Sequence, residues 1–525
     1  MSGLGIRLLV ALVVLGVAWL ALAWVNRLAP PRDRPESKGI TGTDDTRLGR
    51  ALDGQVRAHP DHSGIWPIDD GLDAFADRAL LAEAADASLD VQYYIWRADM
   101  SGILLAEALY RAARRGVRVR LLLDDNNTAG ADPMLAALDS HPNIEVRLFN
   151  PFAIRRFRML GYLGDFRRLN RRMHNKSFTA DNQATIVGGR NVGDEYFNAG
   201  QAMRFVDMDV LAVGPVVRDV STDFDRYWES ASSYTLGSVL GDAAKVDPEL
   251  VSRHVSIVES EPRVREYLEA VRDSGFLRDL LEGRLSFEWT RVQLLSDDPA
   301  KALGRATPEG LLTHRLRRVL GGAEREVLLV TPYFVPTDAG VEALSGMVAR
   351  GVDVGVLTNS LGATDVVPVH AGYAKHRGAL LESGVRLYEM KREAAGDGQR
   401  DQHRLVGSSS SSLHAKVFSV DRERLFVGSF NFDPRSANFN TEMGMLIDSP
   451  GLARAMADNM RAVLPGLVYE VKLGDDGKLS WIERRGGVDG GVSDTPIVHR
   501  REPDAGFWSR VGVWITSRLP VEWLL

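Results

Sequence analysis

The sequence predicts an α/β fold built from one unit used twice. Segments of strand and helix character alternate in both halves of the chain. Landmarks recur at a nearly fixed interval. Gly116-Val117-Arg118-Val119 matches Gly351-Val352-Asp353-Val354 at an offset of 235, and Val146-Arg147-Leu148-Phe149 matches Val385-Arg386-Leu387-Tyr388 at 239. The pattern H-x-K-x4-D also occurs twice, as His174, Lys176 and Asp181 and as His414, Lys416 and Asp421, at an offset of 240. The drift in offset is what loop-length variation does to a duplicated unit.

Taken in order, the chain opens on an apolar run. Residues 8–25 hold 18 apolar residues, counting Gly16, after Arg7. A helix there spans roughly 27 Å, near the thickness of bilayer hydrocarbon. Residues 1–28 therefore predict an N-terminal membrane helix, a signal anchor. A cleaved signal peptide is the alternative, because Ala21-Leu22-Ala23 offers a small-residue cleavage pattern. The length of the run and the bulky Trp19 and Trp24 near its end favour the anchor. Arginines flank both sides (Arg7, then Arg27, Arg32 and Arg34), so the positive-inside rule does not fix topology. Residues 29–60, rich at first in Pro, Gly, Asp and Arg, read as a linker.

A first domain is placed at 61–255 and a second at 256–470. In the first, helical periodicity over 73–87 is followed by a strand at 91–96, a helix at 103–115 and a buried strand at 117–124. A helix near 134–138 and a strand at 144–149 complete the series. The second domain repeats it with strands at 327–334, 352–358 and 385–388 and helices at 339–350 and 373–382. Short strands at 185–187, 417–420 and 425–427, and one around Phe178, flank the two motifs. Residues 151–172 combine seven arginines with Phe157, Tyr162 and Phe166. They read equally as a solvated loop or as a rim for anionic headgroups. Residues 391–412 are polar, end in five serines and read as disorder. The tail, 471–525, carries Trp508, Trp514 and Trp523 beside Arg510 and Arg518, which favours an interfacial membrane contact over packing on the core.

At 525 residues the chain is ample for two domains with real cores. A formal charge of −6 argues against a general nucleic-acid binder. The absence of cysteine excludes disulfides, thiolate catalysis, Cys-ligated zinc and a lipidated N-terminal cysteine. No HExxH, P-loop or Rossmann fingerprint occurs in a convincing context, so neither a cofactor nor a metal is expected.

The chemistry concentrates in the doubled motif. In a strand, positions i and i+2 share a face, so His and Lys of each copy point the same way. Gly188-Gly189-Arg190-Asn191 and Gly428-Ser429-Phe430-Asn431 follow their histidines at the same distance. Two His, two Lys, Asn191 and Asn431 converging would make a cationic pocket with two titratable imidazoles, suited to a phosphodiester. One neutral imidazole attacks phosphorus; the other, protonated, donates to the leaving oxygen. Each imidazole needs an acid on its other ring nitrogen. Glu442 and Asp207, each eight residues before a proline (Pro450 and Pro215), are the candidates. Asp181 and Asp421 stay among the catalytic candidates with their motifs, although an Asp ending a strand commonly caps a turn. Tyr93, Tyr94, Trp96, Asp124, Asn126, Tyr333, Asp365, His370 and Tyr373 lie at or after strand C-termini, where α/β folds collect ligands. They are candidates for substrate binding, with core packing as the alternative for the aromatics.

The paired motif resembles the signature of the phospholipase D superfamily. Val91-Gln92-Tyr93-Tyr94-Ile95-Trp96, Leu121-Leu122-Leu123-Asp124-Asp125-Asn126-Asn127 and Arg171-Arg172-Met173-His174-Asn175-Lys176-Ser177-Phe178 resemble its bacterial cardiolipin synthase branch, of the C type. The resemblance covers about residues 73–450. It implies two phospholipase D-like α/β sandwich domains with the active site at their pseudo-twofold interface. It implies His174 as nucleophile, His414 as general acid and a downstream acid orienting each histidine. The implied activity is phosphatidyl transfer through a phosphatidyl-histidine, making cardiolipin from phosphatidylglycerol and a second phospholipid, phosphatidylethanolamine or another phosphatidylglycerol. The implied partners are phospholipids and a membrane, the bacterial inner membrane; a helper protein is not readable from these residues. A hydrolase releasing phosphatidic acid uses the same residues and stays open. A nuclease is disfavoured by the apolar segment and the net charge, and a non-enzymatic scaffold by two intact motifs.

Overall fold

Two mixed sheets, one from each half, meet across an apolar seam. The computed structural model describes residues 3–524 apart from 27, 29, 32–33, 198–206, 245, 248, 259–263, 393–412, 485–495 and 520–521. The first sheet is built from β1 (Ser63–Ile68), β2 (Ser88–Ile95), β3 (Arg118–Asn127), β4 (Ile144–Phe149), β5 (Ser177–Ala180), β6 (Ala184–Gly188), β7 (Asp209–Val213), β8 (Ser233–Thr235) and β9 (Glu288–Thr290). The second is built from β10 (Val292–Ser296), β11 (Glu326–Val330), β12 (Asp353–Asn359), β13 (Arg386–Met390), β14 (Val417–Val420), β15 (Arg424–Gly428), β16 (Met443–Ile447), β17 (Val468–Leu473), β18 (Leu479–Glu483) and β19 (Ile497–His499).

The duplication is visible in the strand order. The run β4-β3-β2-β5-β6-β7 in the first sheet repeats as β13-β12-β11-β14-β15-β16 in the second. In each run the first three strands are parallel and the rest antiparallel. The register agrees too, with Val91 opposite Phe178 and Leu329 opposite Phe418. The parallel strands have helices on both faces: Leu121 and Leu123 lie in the outer core, while Leu122 packs with Phe224, Tyr227 and Trp228 of the helix Pro215–Trp228, so all three are buried, as are Val327 to Val330. The seam between the halves joins Ile65, Val187, Val210 and Ala212 to Leu328, Val427, Met443 and Met445. Each half keeps its own core on the outer face of its sheet.

Several expectations change here. The supposed linker is strapped to the first half. Arg34 donates to the carbonyls of Ser230 and Ser233 at 2.6 and 2.8 Å, Arg120 donates to the Ser37 carbonyl, and the helix Arg47–Ala58 buries Leu48 and Leu52. Buried arginines at strand positions need acceptors, and this segment's carbonyls provide them. The first sheet runs past residue 255, because β9 pairs with β1 and the helix Val264–Asp273 packs on Gly71–Ala84. Residues 158–169 of the arginine-rich stretch are a helix, Arg158–Leu169, not a loop. Most of 391–412 lies outside the described residues. The tail is part sheet: β18 and β19 extend the second sheet. Its last helix, Phe507–Thr516, packs on Val367–Glu382 through buried Val513 while leaving Phe507, Trp508 and Trp514 exposed.

The N-terminal residues form a helix, Gly3–Val25. Among the described residues, however, no helix is long and apolar enough to cross a membrane. The run of 18 falls short of the roughly 20 apolar residues that a span takes. Trp19 of this helix donates to the Leu163 carbonyl of Arg158–Leu169 at 3.0 Å.

Candidate active site

Both motifs sit on equivalent hairpins, and the hairpins dictate what each motif residue does. The residues after β5 and β14 form tight turns in which Asp181, Asn182, Asp421 and Arg422 all have positive φ, between 52° and 57°. Gln183 N donates to the Ala180 carbonyl and Glu423 N to the Val420 carbonyl, which closes type I′ turns, matched to the twist of paired strands. Asp tolerates this conformation better than most residues. The Asp181 carboxylate accepts hydrogen bonds from the backbone of Asp86, Ala87 and Ser88. That of Asp421 accepts from Glu324, Arg325 and Glu326. Both carboxylates therefore pin the start of a neighbouring strand and stand away from the histidines.

His174 and Lys176 lie just ahead of β5, and His414 and Lys416 just ahead of β14, rather than within the strands as the i, i+2 spacing suggests. Lys176 Nζ donates to the His174 carbonyl at 2.6 Å, and Lys416 Nζ donates to the His414 carbonyl. The pairing with acids is crossed. His174 Nδ1 lies 2.8 Å from Glu442 Oε2, and His414 Nδ1 lies 2.5 Å from Asp207 Oδ2. Each histidine of one half is held by a carboxylate from the other. Backbone bonds align the halves at this point: His174 N donates to the Thr441 carbonyl and Thr441 N to the Arg172 carbonyl, both at 2.8 Å.

The two pairs differ chemically. His174 Nδ1 also lies 3.1 Å from the Ser429 carbonyl. A carbonyl only accepts, so Nδ1 carries the proton and Nε2 keeps its lone pair. Ser429 Oγ donates to Glu442 Oε2 at 2.5 Å and accepts from Met443 N. The equivalent residue in the first half is Gly189, where any side chain would collide with the Asp207 carboxylate. Asp207 instead accepts from Met208 N at 2.9 Å.

Burial dominates the electrostatics. It pulls Lys176 down to about 7 and Lys416 to about 8, against the attraction of Glu442 and Asp207. Burial, then the two lysines, lowers His174 well below the usual imidazole value. His414 is lowered by burial and Lys416, with Asp207 opposing. Burial pushes Glu442 up to about 7, with Lys176 and Ser429 pulling back. Burial also works against the ionised form of Asp207, but His414 and Lys416 outweigh it and hold Asp207 low. The result is a desolvated site in which His174 faces a carboxyl that burial raises and His414 faces an ionised carboxylate. The Asn191 side chain accepts from Ile95 N at 3.2 Å, while among the described residues its buried Nδ2 and the buried Oδ1 of Asn431 have no partner. Asn191 Nδ2 is a donor that a phosphoryl oxygen can satisfy.

A family model described as cardiolipin synthase, phospholipase D-like domain, matches residues 78–228 and again 316–464. The chain belongs to that family. It is 48% identical to cardiolipin synthase C of Escherichia coli (strain K12) over 91% of this chain and 100% of the relative. It is 25% identical to the major cardiolipin synthase of Bacillus subtilis (strain 168) over 75% of this chain and 67% of that one. In fold it is similar to the crystal structure of phosphatidylserine synthase from Haemophilus influenzae, with a TM-score of 0.51 and 14% identity over 81% of this chain and 92% of that chain.

Around this phospholipase D-like centre the strand-end candidates divide. Tyr94 faces the site, its ring edge-on to His174 at 4.8 Å and 5.5 Å from Lys176 Nζ. Tyr333 donates to Asp365 Oδ2 at 2.8 Å. Asn126 accepts from Tyr162 at 2.8 Å. Buried Asp124 accepts from Met173 N at 2.8 Å and so fixes the backbone before His174. The remaining candidates leave the site. Tyr93 is buried and accepts from Arg78, and Trp96 is buried and donates to the Gly102 carbonyl. His370 sits in a buried cluster with Arg377 and Glu502, and Tyr373 packs on Phe334 and Arg377. Alternation along a strand sends neighbours to opposite faces, and proximity to the strand end does not say which. Sequence reasoning missed Tyr196, whose ring lies 5.1 Å from His414. It quoted Ser429 only as a motif position. The exchange of Ser429 for Gly189 between otherwise matched motifs was the available signal.

Proposed function

We propose that the protein is a phosphatidyltransferase that makes cardiolipin from phosphatidylglycerol and a second phospholipid. The crossed His–acid pairing is the observation that carries this reading: it supplies one neutral imidazole and one imidazole poised beside an ionised carboxylate. His174 Nε2 attacks the phosphorus of the donor lipid. The P–N bond forms as the bond to the headgroup oxygen breaks, and His414 gives its proton to that oxygen, so a free alcohol leaves. Lys176, Lys416, Asn191 and Asn431 hold the phosphoryl oxygens and stabilise the charge of the five-coordinate transition state. The ionised Asp207 supports the imidazolium form of His414. His414, now neutral, takes the proton of a phosphatidylglycerol hydroxyl. The new P–O bond replaces the P–N bond, giving cardiolipin and restoring both histidines.

The same reading places the protein at a bacterial inner membrane. The helix Gly3–Val25 exposes apolar side chains from Leu9 to Leu20 and at Trp24 and Val25, and such a helix is stable against lipid rather than water. Met159, Leu163 and Phe166 of the helix it touches are exposed as well, as are Trp508, Trp514 and Trp523 of the tail. Aromatic residues beside arginines suit the headgroup layer; Arg518 lies 4.0 Å from the Trp514 ring.

The test is product analysis with purified protein in phosphatidylglycerol vesicles. Cardiolipin accompanied by free glycerol is the expected result. Phosphatidic acid without cardiolipin in any lipid mixture overturns transfer in favour of hydrolysis.

A further inference from the structure

The C-terminal tail touches the elements that carry both active-site histidines. Glu502 lies 3.1 Å from His370 Nε2 and accepts from Arg377 at 2.7 Å, both on the helix Val367–Glu382. Glu522 accepts from Lys375 of the same helix at 2.6 Å and lies 2.7 Å from His376 Nε2. Asp504 accepts from Tyr469 at 2.6 Å, and it lies so close to Gly362 that a β-carbon there would collide with it. Val513 packs with Leu361 and Ala371. Just ahead of Leu361 stands Asn359, whose amide exchanges two 3.0 Å hydrogen bonds with the backbone of Leu413, next to His414. Further along the tail, the Trp523 ring lies 6.1 Å from that of Phe439. Arg171 lies 5.3 Å from the same Phe439 ring and donates to the Asn438 carbonyl at 3.1 Å. Arg171 and Phe439 each stand three residues ahead of a member of the other pair, His174 and Glu442. One segment thus braces the His414 side of the site and the His174–Glu442 side together.

The outward face of the tail shows what it meets. Residues 496–525 contain three acids, Glu502, Asp504 and Glu522, and all three are spent on the body of the protein. No tail carboxylate is left to neutralise Arg500, Arg501, Arg510 and Arg518. Among these arginines Phe507, Trp508, Trp514, Ile515, Leu519 and Trp523 are exposed. Apolar rings set among unneutralised cations suit an anionic bilayer surface, which takes the rings into its headgroup layer and the arginines beside its negative charges. The tail is held weakly without such a surface. Val513 is the one buried residue of the helix Phe507–Thr516, and a segment with few buried apolar contacts opens at little cost in free energy.

We infer that an anionic bilayer surface binds the exposed face of Phe507–Thr516 together with Trp523 and, by closing the tail on Leu361 and Phe439, aligns the two sides of the active site. The inference rests on the phosphatidyl-transfer reading and adds its regulation: turnover follows the charge of the surface as well as the substrate in it. An open tail turns the carboxylates of Glu502 and Glu522 toward the lipid's negative charges, whereas the closed tail keeps them on His370, Arg377, Lys375 and His376. That difference in affinity is what lets the surface shift the tail toward its closed arrangement.

The experiment uses the full chain reconstituted in phosphatidylcholine vesicles, with and without a sulfolipid that carries negative charge but no phosphodiester. The substrate is a short-chain phosphatidylglycerol, soluble as a monomer and labelled in its headgroup glycerol, so its supply does not depend on the surface. Release of labelled glycerol at saturating substrate gives kcat. Sulfolipid should raise the wild-type kcat about fivefold or more, the lower end of coupling between two sites. It should also slow hydrogen exchange at the amides of Leu361 and Gly362. The double variant Trp508→Ser, Trp514→Ser keeps the rate found in pure phosphatidylcholine and loses both responses. A wild-type rate indifferent to sulfolipid overturns the inference, and so does a double variant that responds as wild type does. The two readings fail separately. Cardiolipin formed at one rate on both surfaces sinks the tail's role and leaves transfer standing. Phosphatidic acid alone, formed faster on the sulfolipid surface, sinks transfer and leaves the tail's role standing.

Discussion

His174 and His414 have the same motif but different surroundings, and the difference assigns their roles. His174 Nδ1 faces a carbonyl and a carboxyl that burial pushes up to about 7; His414 Nδ1 faces an aspartate held low. His174→Ala and His414→Ala should each lower kcat at least about 10⁴-fold on lipid. They should separate on a phosphodiester with a nitrophenol leaving group, which needs no proton. There His414→Ala recovers formation of the covalent intermediate and His174→Ala does not. The pH profile carries a sign. Because His174 lies below the usual imidazole range, the acid limb of kcat/KM falls below the ordinary imidazole value of about 6.5. On the alkaline side His414, lowered by burial and Lys416, loses the proton it must donate, and Lys176 at about 7 and Lys416 at about 8 lose their charge, so phosphate binding weakens as pH rises. A bound phosphodiester raises both lysines. The alkaline limb of kcat should therefore lie at higher pH than that of kcat/KM, and coincident limbs would contradict this account.

The hairpin is the element that turns a short motif into a site. Its turn needs two residues with positive φ, and its Asp ties the turn to the strand alongside. Asp181 is fully buried and accepts three backbone N–H groups, so Asp181→Ala should cost about 2–3 kcal/mol of stability. Asp421 is more exposed at the equivalent turn, and its loss should cost about 1 kcal/mol. Urea denaturation checks both. A loss of kcat in the folded fraction of either variant, with stability unchanged, would return these residues to the chemistry.

At the scale of the molecule, catalysis depends on how the halves are held together. Arg435 of the second half donates to the side chain and carbonyl of Asn170 in the first, at 2.9 and 3.1 Å. Four residues beyond Asn170 stands His174, and seven beyond Arg435 stands Glu442. Arg435→Ala should lower stability by about 1–3 kcal/mol. It should also lower kcat about tenfold or more, by loosening the alignment of His174 with Glu442. Activity assays beside denaturation curves test this; an unchanged kcat would show that the seam alone sets the register.

The sequence by itself determined the duplication, the alternation of strand and helix, and the positions of both His-x-Lys pairs. These are local patterns, fixed by side-chain periodicity and by the needs of a tight turn. Only the tertiary structure decided which acid serves which histidine. Glu442 is 268 residues from His174 and Asp207 is 207 from His414, and no spacing rule spans the seam between two sheets. The structure also separated Tyr94, which faces the site, from Tyr93, which faces Arg78. It turned the supposed linker into a strap, because the buried Arg120 and Arg147 needed carbonyl acceptors. Those outcomes depend on what packs against a strand face, and a chain read in order does not contain that information.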